Sequence, residues 1–287
     1  MKATRVFVFD LDGTLLNRQG QIPTSTWMKL SELIQKGYIV IIATGRPWRT
    51  TGPVLANLPI SVAVCANGTL IYWPHEKKTV VHTFASERGV VEAVVHYSRQ
   101  EELFKLYTCY GPVEGGPRPP KIAWHEREIL DGPVSTALTG LKIPATVLRH
   151  TPDLLLVEEA ASRLALITDP AEIPRIEAEI RALLGDGTPH PAYAYYREGV
   201  MEVLPAGRTK AAGLEEVRLE LGFGRDEVLV FADGVNDLEM LLWASSPRQR
   251  VVMDHSPPAI QKVAQPTTVI AWDNGEGICR FLTKHFG

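Results

Sequence analysis

The sequence predicts an open α/β sheet into which a second α/β unit has been inserted. Three observations carry that expectation. Short, nearly continuous apolar runs recur at residues 5–9, 38–43, 62–66 and 228–232, each followed at once by polar residues. Runs of that kind suit parallel strands buried on both faces. Segments of helical period separate several of them, and the pattern breaks near residue 83 and returns after residue 200. These bounds predict a core of residues 1–82 and 201–287 with an inserted domain over 83–200.

Arg5-Val6-Phe7-Val8-Phe9 reads as the first strand and ends at Asp10. Residues 24–36 read as a helix, with Trp27, Leu30, Leu33 and Ile34 at helical spacing, Thr24 or Ser25 to cap it and Gly37 to stop it. Tyr38–Ala43 is a second strand ending at Thr44-Gly45-Arg46, and Val62–Ala66 a third ending at Asn67-Gly68. Inside the insert, Glu87–Ser98 reads as helix, Leu103–Cys109 as strand and Gly111–Pro120 as a surface loop. Arg163–Thr168, Ile173–Leu184 and Ala192–Tyr196 then form a strand, helix and strand. Lys210 opens another helix, stopped by Gly222. Val228–Ala232 is a buried strand running into Asp233, and Arg250–Met253 and Thr267–Ile270 are the last strands. Polar residues gathered at strand carboxyl ends mark where open α/β sheets bind ligands.

Composition removes several function classes. The chain has 287 residues, 45% of them hydrophobic, and a formal net charge of −3, with no basic run interleaved with aromatics. Neither nucleic acid nor an anionic membrane is an expected partner. Three cysteines, Cys65, Cys109 and Cys279, lie far apart without zinc-ligand spacing. Met1–Arg5 leads directly into a strand, without a signal-like apolar run, and no apolar stretch reaches the roughly 18 residues of a membrane span. A soluble cytoplasmic protein is expected.

Four short segments carry chemistry. Asp10 and Asp12 follow a strand, separated by one residue. Two carboxylates sharing a site repel, and a bound cation relieves them. A bare pair of this kind is usually a solvated loop, but here an apolar strand precedes it and Gly13-Thr14 follows. Thr44 and Gly45 offer a hydroxyl and an unhindered backbone N–H for phosphate oxygens, although the same dipeptide can be a plain turn. Arg46-Pro47-Trp48-Arg49 either contacts a leaving group or rides on the surface. Lys210 begins a helix, a position poorly matched to the helix dipole unless an anion sits there. Asp233-Gly234-Val235-Asn236-Asp237 joins a strand to a helix and combines a metal-type carboxylate with helix-capping residues. Together these groups equip the chain for phosphoryl transfer through an aspartyl-phosphate with Mg²⁺. His125 and His255, without partners at any recognised spacing, read as surface or core residues. No GxSxG, HExxH or GxGxxG pattern offers a rival chemistry.

Asp10-Leu11-Asp12-Gly13-Thr14, Thr44, Lys210 and Asp233…Asn236-Asp237 resemble, in order, the four motifs of the haloacid dehalogenase (HAD) superfamily of phosphatases. Ala43–Pro47, Ala66-Asn67-Gly68 and an insert placed after the third strand resemble its Cof-type branch. The resemblance implies a Rossmann-like parallel core with an inserted α/β (α+β) cap. It implies Asp10 as nucleophile and Asp12 as general acid/base, the latter also lending its backbone carbonyl to Mg²⁺. Asp10 and Asp233 would be carboxylate ligands of the metal, with Asp237 in support. Thr44, Gly45, Lys210 and Asn236 would bind the transferring phosphoryl group, and Arg46 and Asn67 are candidate substrate contacts. The implied activity is hydrolysis of a small phosphorylated metabolite, a sugar phosphate by preference. A phosphosugar mutase or a catalytically silent phosphometabolite binder are the alternatives. Two departures stand out: Ala232 in place of a common glycine, and Val251–Pro258, which lacks a glycine- and asparagine-containing turn. Neither departure is expected to touch the chemistry.

Overall fold

The computed structural model describes residues 4–46, 48–84, 87–100, 105–109, 122–124, 163–184, 187–196, 199–265 and 268–287. The chain divides into two compact units, Met1–Val80 with Lys210–Gly287, and Val81–Thr209.

The first unit is built on an eight-stranded sheet. Its strands are β1 (Val6–Phe9), β2 (Ile39–Ala43), β3 (Val62–Cys65), β4 (Leu70–Trp73), β5 (Lys78–Val81), β11 (Val228–Ala232), β12 (Arg250–Met253) and β13 (Thr268–Ile270), in the order β13-β12-β11-β1-β2-β3-β4-β5. From β13 to β3 every neighbouring pair is parallel, and β4 turns back antiparallel to β3. The chain leaves β1 for β2 and β3 on one side, and returns through β11 on the other. The switch point therefore lies between β1 and β11, where a parallel sheet opens a crevice beyond its strand ends.

Strand alternation sorts the β1 side chains onto two faces. Val6 and Val8 join the core of helices α5 (Lys210–Leu221) and α6 (Leu238–Trp243) through Leu214, Val217, Met240 and Leu241. Phe7 and Phe9 face the other way. Phe9 stacks on Phe231 at 4.6 Å, and Phe7 meets Phe286 of the C-terminal helix α8 (Glu276–Phe286) edge-on at 4.9 Å. Helices α1 (Thr24–Gln35), α2 (Trp48–Leu55) and α7 (Pro258–Ala264) complete the unit.

The second unit carries a five-stranded sheet of β6 (Lys105–Cys109), β7 (Ile122–Trp124), β8 (Arg163–Ile167), β9 (Ala192–Tyr196) and β10 (Val200–Leu204), in the order β7-β6-β8-β10-β9. Every pairing in it is antiparallel. Leu164, Leu166, Met201 and Val203 pack with Val90, Val94 and Tyr97 of α3 (Arg88–Gln100) and Ile176 and Ile180 of α4 (Ile173–Leu183). Glu202 alternates with Met201 and Val203 and so projects from the other face, where it accepts a buried ion pair from Arg163 at 2.7 Å. The boundary expected after residue 200 moves: β10 bonds to β8 and β9, which draws residues up to Thr209 into this unit. The expected loop Gly111–Pro120 and His125 lie outside the described residues. Among the described residues, no helix is long and apolar enough to cross a membrane.

Candidate active site

Asp10 directly follows β1 and is held there by its backbone N–H, which donates to Phe231 O at 3.0 Å. The chain then coils through Leu11–Leu15 in a tight turn closed by Leu16 N–H on Leu11 O at 2.9 Å. Gly13 makes that turn with φ of +79°, and a Cβ there would lie 2.4 Å from Asp233 Oδ2. Only glycine satisfies both the left-handed backbone and the close approach of the second acid. The turn also brings Thr14 beneath the site, and its hydroxyl donates to Asp233 Oδ1 at 2.9 Å.

Lys210 is the first residue of α5 and is 1% exposed. Its ammonium donates to Asp10 Oδ1 and Asp237 Oδ1, both at 2.6 Å. These carboxylates are the anions that justify a lysine at a helix start. The helix is seated by Gly213, where a Cβ would meet Val64 Cγ1 at 2.6 Å. Asp237 is fully engaged: its Oδ2 accepts the Gly234 N–H at 2.9 Å, folding the segment after β11 back on itself. Asp10 Oδ2 accepts no hydrogen bond among the described residues, which leaves one oxygen of this carboxylate for other work.

Asp10, Asp233 and Asp237 each present an oxygen within 4.8 Å of the others. Burial pushes the Asp10 carboxyl well above the usual carboxylate range; Asp237 adds to this and Lys210 opposes it. Asp233 is raised too, by burial and by Asp237, against the bonds from Thr14 and His255. Burial disfavours the Lys210 charge, but its two carboxylate partners outweigh that and hold it above the ordinary lysine value. Three carboxylates against one ammonium leave two negative charges in a low-dielectric site. An all-oxygen donor set with that excess fits a hard divalent cation such as Mg²⁺.

The other sequence-selected residues gather at neighbouring strand ends. Thr44 follows β2 and is buried; its Oγ1 accepts from Arg46 N–H at 3.1 Å. Arg46 grips Asp12 as a fork, with Nε donating to Oδ2 at 2.5 Å and Nη2 to Oδ1. The Asp12 side chain remains 58% exposed at the mouth of the site. Asn67, expected as a substrate contact, is buried after β3 and donates its N–H to Thr44 O at 3.1 Å. Ala66, Asn67 and Gly68 all adopt positive φ, a strained run that braces the Thr44 loop. Gly45 and Asn236 are partly exposed near the same strand ends, beside Thr44 and Asp237 respectively.

One residue was missed. His255, just beyond β12, places Nε2 3.2 Å from Asp233 Oδ2. The signal in the sequence was an ionisable pair, Asp254-His255, at the carboxyl end of a strand; its bearing on Asp233 depends on the strand order, which the sequence does not state.

Comparison with known proteins decides the family. The chain matches the haloacid dehalogenase-like hydrolase family over residues 7–131 and 134–282. It belongs to that family. A curated relative from Bacillus subtilis, 5-amino-6-(5-phospho-D-ribitylamino)uracil phosphatase YitU, is 24% identical over 98% of this chain and 97% of its own. An HMP-PP phosphatase of Cronobacter sakazakii is also 24% identical, covering 97% of this chain and 94% of that protein. Among solved structures, a haloacid dehalogenase-like hydrolase from Bacteroides thetaiotaomicron superposes with a TM-score of 0.78 at 22% identity, over 99% of this chain and 100% of its own. A HAD subclass IIB sugar phosphatase gives 0.76 at 20% identity, over 99% of each chain. The chain is thus a haloacid dehalogenase-like hydrolase with the fold of these structures.

Proposed function

We propose that the protein hydrolyses a small phosphorylated metabolite, a sugar phosphate or a related compound, through a covalent phosphate on Asp10 with Mg²⁺ in place. The observation that carries this reading is the setting of Asp10 at the switch point. One of its oxygens is neutralised by Lys210 at 2.6 Å, and two further carboxylates lie alongside. Asp10 and Asp233 would hold the cation, with the backbone carbonyl of Asp12, while Asp237 supports them from its fixed position. Bound there, Mg²⁺ screens the carboxylates from the incoming phosphate and stabilises charge on the transferring group.

Asp10 attacks phosphorus in line. Asp12, exposed at the mouth, gives its proton to the leaving oxygen and then takes one from the water that hydrolyses the acyl phosphate. Arg46 now occupies both Asp12 oxygens, so a proton-carrying Asp12 requires this fork to open as substrate enters. Lys210, Thr44, Gly45 and Asn236 would hold the phosphoryl oxygens. The curated relatives act on a phosphoribityl compound and on HMP-PP, which supports a small phosphometabolite as substrate.

The test is phosphate release from an aryl phosphate and a phosphometabolite panel, with Mg²⁺ and with chelator, alongside rapid-quench labelling of the protein. Mg²⁺-dependent turnover and a labelled acyl phosphate that is absent from Asp10→Asn are expected. Turnover that survives chelation, or label on a residue other than Asp10, would overturn the mechanism.

A further inference from the structure

We propose that His255 is a positioning residue that fixes the carboxylate of Asp233 for metal binding. The role rests on the metal-dependent reading above, and the segment that supplies it, Val251–Pro258, is the one where the sequence departs from the family pattern.

Asp233 is gripped at both oxygens. Thr14 donates to Oδ1 at 2.9 Å, and His255 Nε2 lies 3.2 Å from Oδ2. An ionised carboxylate only accepts, so the proton between them belongs to Nε2. Each oxygen keeps a further lone-pair direction, and with the rotation of the group stopped from both sides that direction is fixed. Metal sites commonly gain affinity in this way, because an oriented ligand loses less freedom when the ion arrives.

The imidazole is itself held. Its ring meets Trp272 edge-on at 5.2 Å with an interplanar angle of 65°. The preceding residue is pinned across the sheet: Asp254 N–H donates to Ile270 O at 2.9 Å, and Asp254 Oδ1 accepts the Trp272 N–H at 3.1 Å. Behind the ring, Ser256 N–H closes the turn on Met253 O at 3.0 Å, and Gln261 Nε2 donates to Ser256 O at 3.0 Å. His255 Nδ1 stands 3.6 Å from Asp254 Oδ1, close enough for attraction but beyond a hydrogen bond. Contacts therefore run without a break from Thr14 after β1, through Asp233 after β11 and His255 after β12, to Trp272 after β13. Four neighbouring strand ends steer one carboxylate. His255 is absent from the group of acids whose oxygens converge within 4.8 Å, so it acts on the metal through Asp233.

Mg²⁺ binding to the full chain, measured by isothermal titration calorimetry without substrate, tests this. His255→Ala should raise the Mg²⁺ dissociation constant about ten- to a hundredfold, with a smaller loss in kcat at saturating Mg²⁺. His255→Gln, which keeps an N–H donor at similar reach, should restore most of the affinity. Thermal unfolding in chelator reports whether each variant folds. Should His255→Ala not fold, Trp272→Leu, which removes the ring beneath the imidazole, should weaken Mg²⁺ severalfold and carries the test. Unaltered Mg²⁺ affinity in a folded His255→Ala would overturn the role. So would failure of His255→Gln to rescue, together with a changed Co²⁺ absorption spectrum, because both mark the imidazole as a direct ligand. Asp233→Asn separates this from the underlying reading. If wild type and Asp233→Asn bind Mg²⁺ equally, or neither binds, the metal site itself fails and the positioning role fails with it.

Discussion

Helix α5 touches two clusters of charge that differ in one respect. At its first residue, Lys210 faces Asp10 and Asp237, with Asp233 close by: three acids and one base, all nearly buried. One turn and a half further on, Glu215 receives Arg218 and Arg225 and the indole N–H of Trp243, with bonds of 2.8–3.0 Å. Here one acid meets two bases. Their surroundings drive the two carboxylates in opposite directions. Burial lifts Asp10 well above the usual range, whereas Arg218 first, then Trp243 and Arg225, draw Glu215 down to about 2. The comparison teaches how to separate a site from a scaffold. A cluster whose surplus charge lies on arginines open to solvent, as on Arg218 and Arg225, is finished without a ligand, whereas one left with surplus charge in low dielectric is completed by something the chain does not supply.

The hardest test of that contrast is on the unbalanced side. Asp10→Asn preserves shape but removes the attacking oxygen's charge and a metal carboxylate together. Turnover of any substrate should fall by about four orders of magnitude, read from kcat under saturating Mg²⁺. A folded variant retaining near-wild-type Mg²⁺-dependent turnover would refute the assignment of Asp10.

Lys210→Met should come next. It leaves Asp10 and Asp237 facing each other without their shared cation. Removing one partner of a buried ionic set costs about 3 kcal/mol or more, to be read as a loss of stability in urea with chelator present. Mg²⁺ should return part of that loss, since a dication can stand in for the missing charge. If Mg²⁺ gave no more protection to the variant than to wild type, the charge-excess argument would be wrong.

Gly13→Ala carries a smaller effect. The left-handed backbone alone costs about 1–2 kcal/mol, and the new methyl would displace Asp233. The expected result is modest destabilisation with a disproportionate loss of Mg²⁺ affinity; equal losses in both would mean that Gly13 serves only the turn.

These residues also mark how far the sequence could be read. The parallel strands were legible because each is buried on both faces and so is continuously apolar, as Val6–Phe9 and Val228–Ala232 are. Helices were legible where one face repeats, as at Ile173, Ile176 and Ile180. The second sheet was read only in part: Val200–Leu204 contains Glu202, whose buried partner Arg163 lies 39 residues away, and no local pattern announces such a pair. The site followed the same division. Asp10, Thr44 and Asp233 each follow a strand and Lys210 begins a helix, so their position in the fold was legible; the structure brings Asp10, Asp233 and Lys210 into one cluster and leaves Thr44 at the neighbouring strand end. The forked bond of Arg46 to Asp12, the burial of Asn67 and the reach of His255 to Asp233 are relations between loops, fixed by strand order and by backbone turns that no spacing encodes.

With metal removed, the excess of acid should appear in stability. Asp10 binds its proton more tightly folded than unfolded, so between those two pKa values the native state holds the extra proton and stability falls as pH rises. Asp10→Asn has no such cost. In chelator at neutral pH it should be more stable than wild type, the gain limited because Lys210 loses one of its two partners. The gap should close as pH falls through the folded-state pKa of Asp10. A variant less stable than wild type throughout would show that the Lys210 pair outweighs the repulsion.

Glu215→Gln should give the smallest change and the opposite sign. The folded-state pKa of about 2 lies below the unfolded value, so the stabilising contribution is present above the unfolded pKa and is lost as pH falls through about 2. The carboxylate is partly solvated, with 30% of its side chain exposed, so screening holds the benefit to about 1 kcal/mol. Chemical denaturation at pH 6–8 should show that loss as a constant offset, with or without Mg²⁺, and catalysis should be spared because the bonds of Glu215 among the described residues run to Arg218, Arg225 and Trp243 and not to the acids. Below about pH 4.5 the wild-type carboxylate begins to take up its proton in the unfolded chain, and the two proteins should converge. An offset that instead varied with Mg²⁺ would couple the two clusters through α5, and buried surplus charge would then no longer separate scaffold from site.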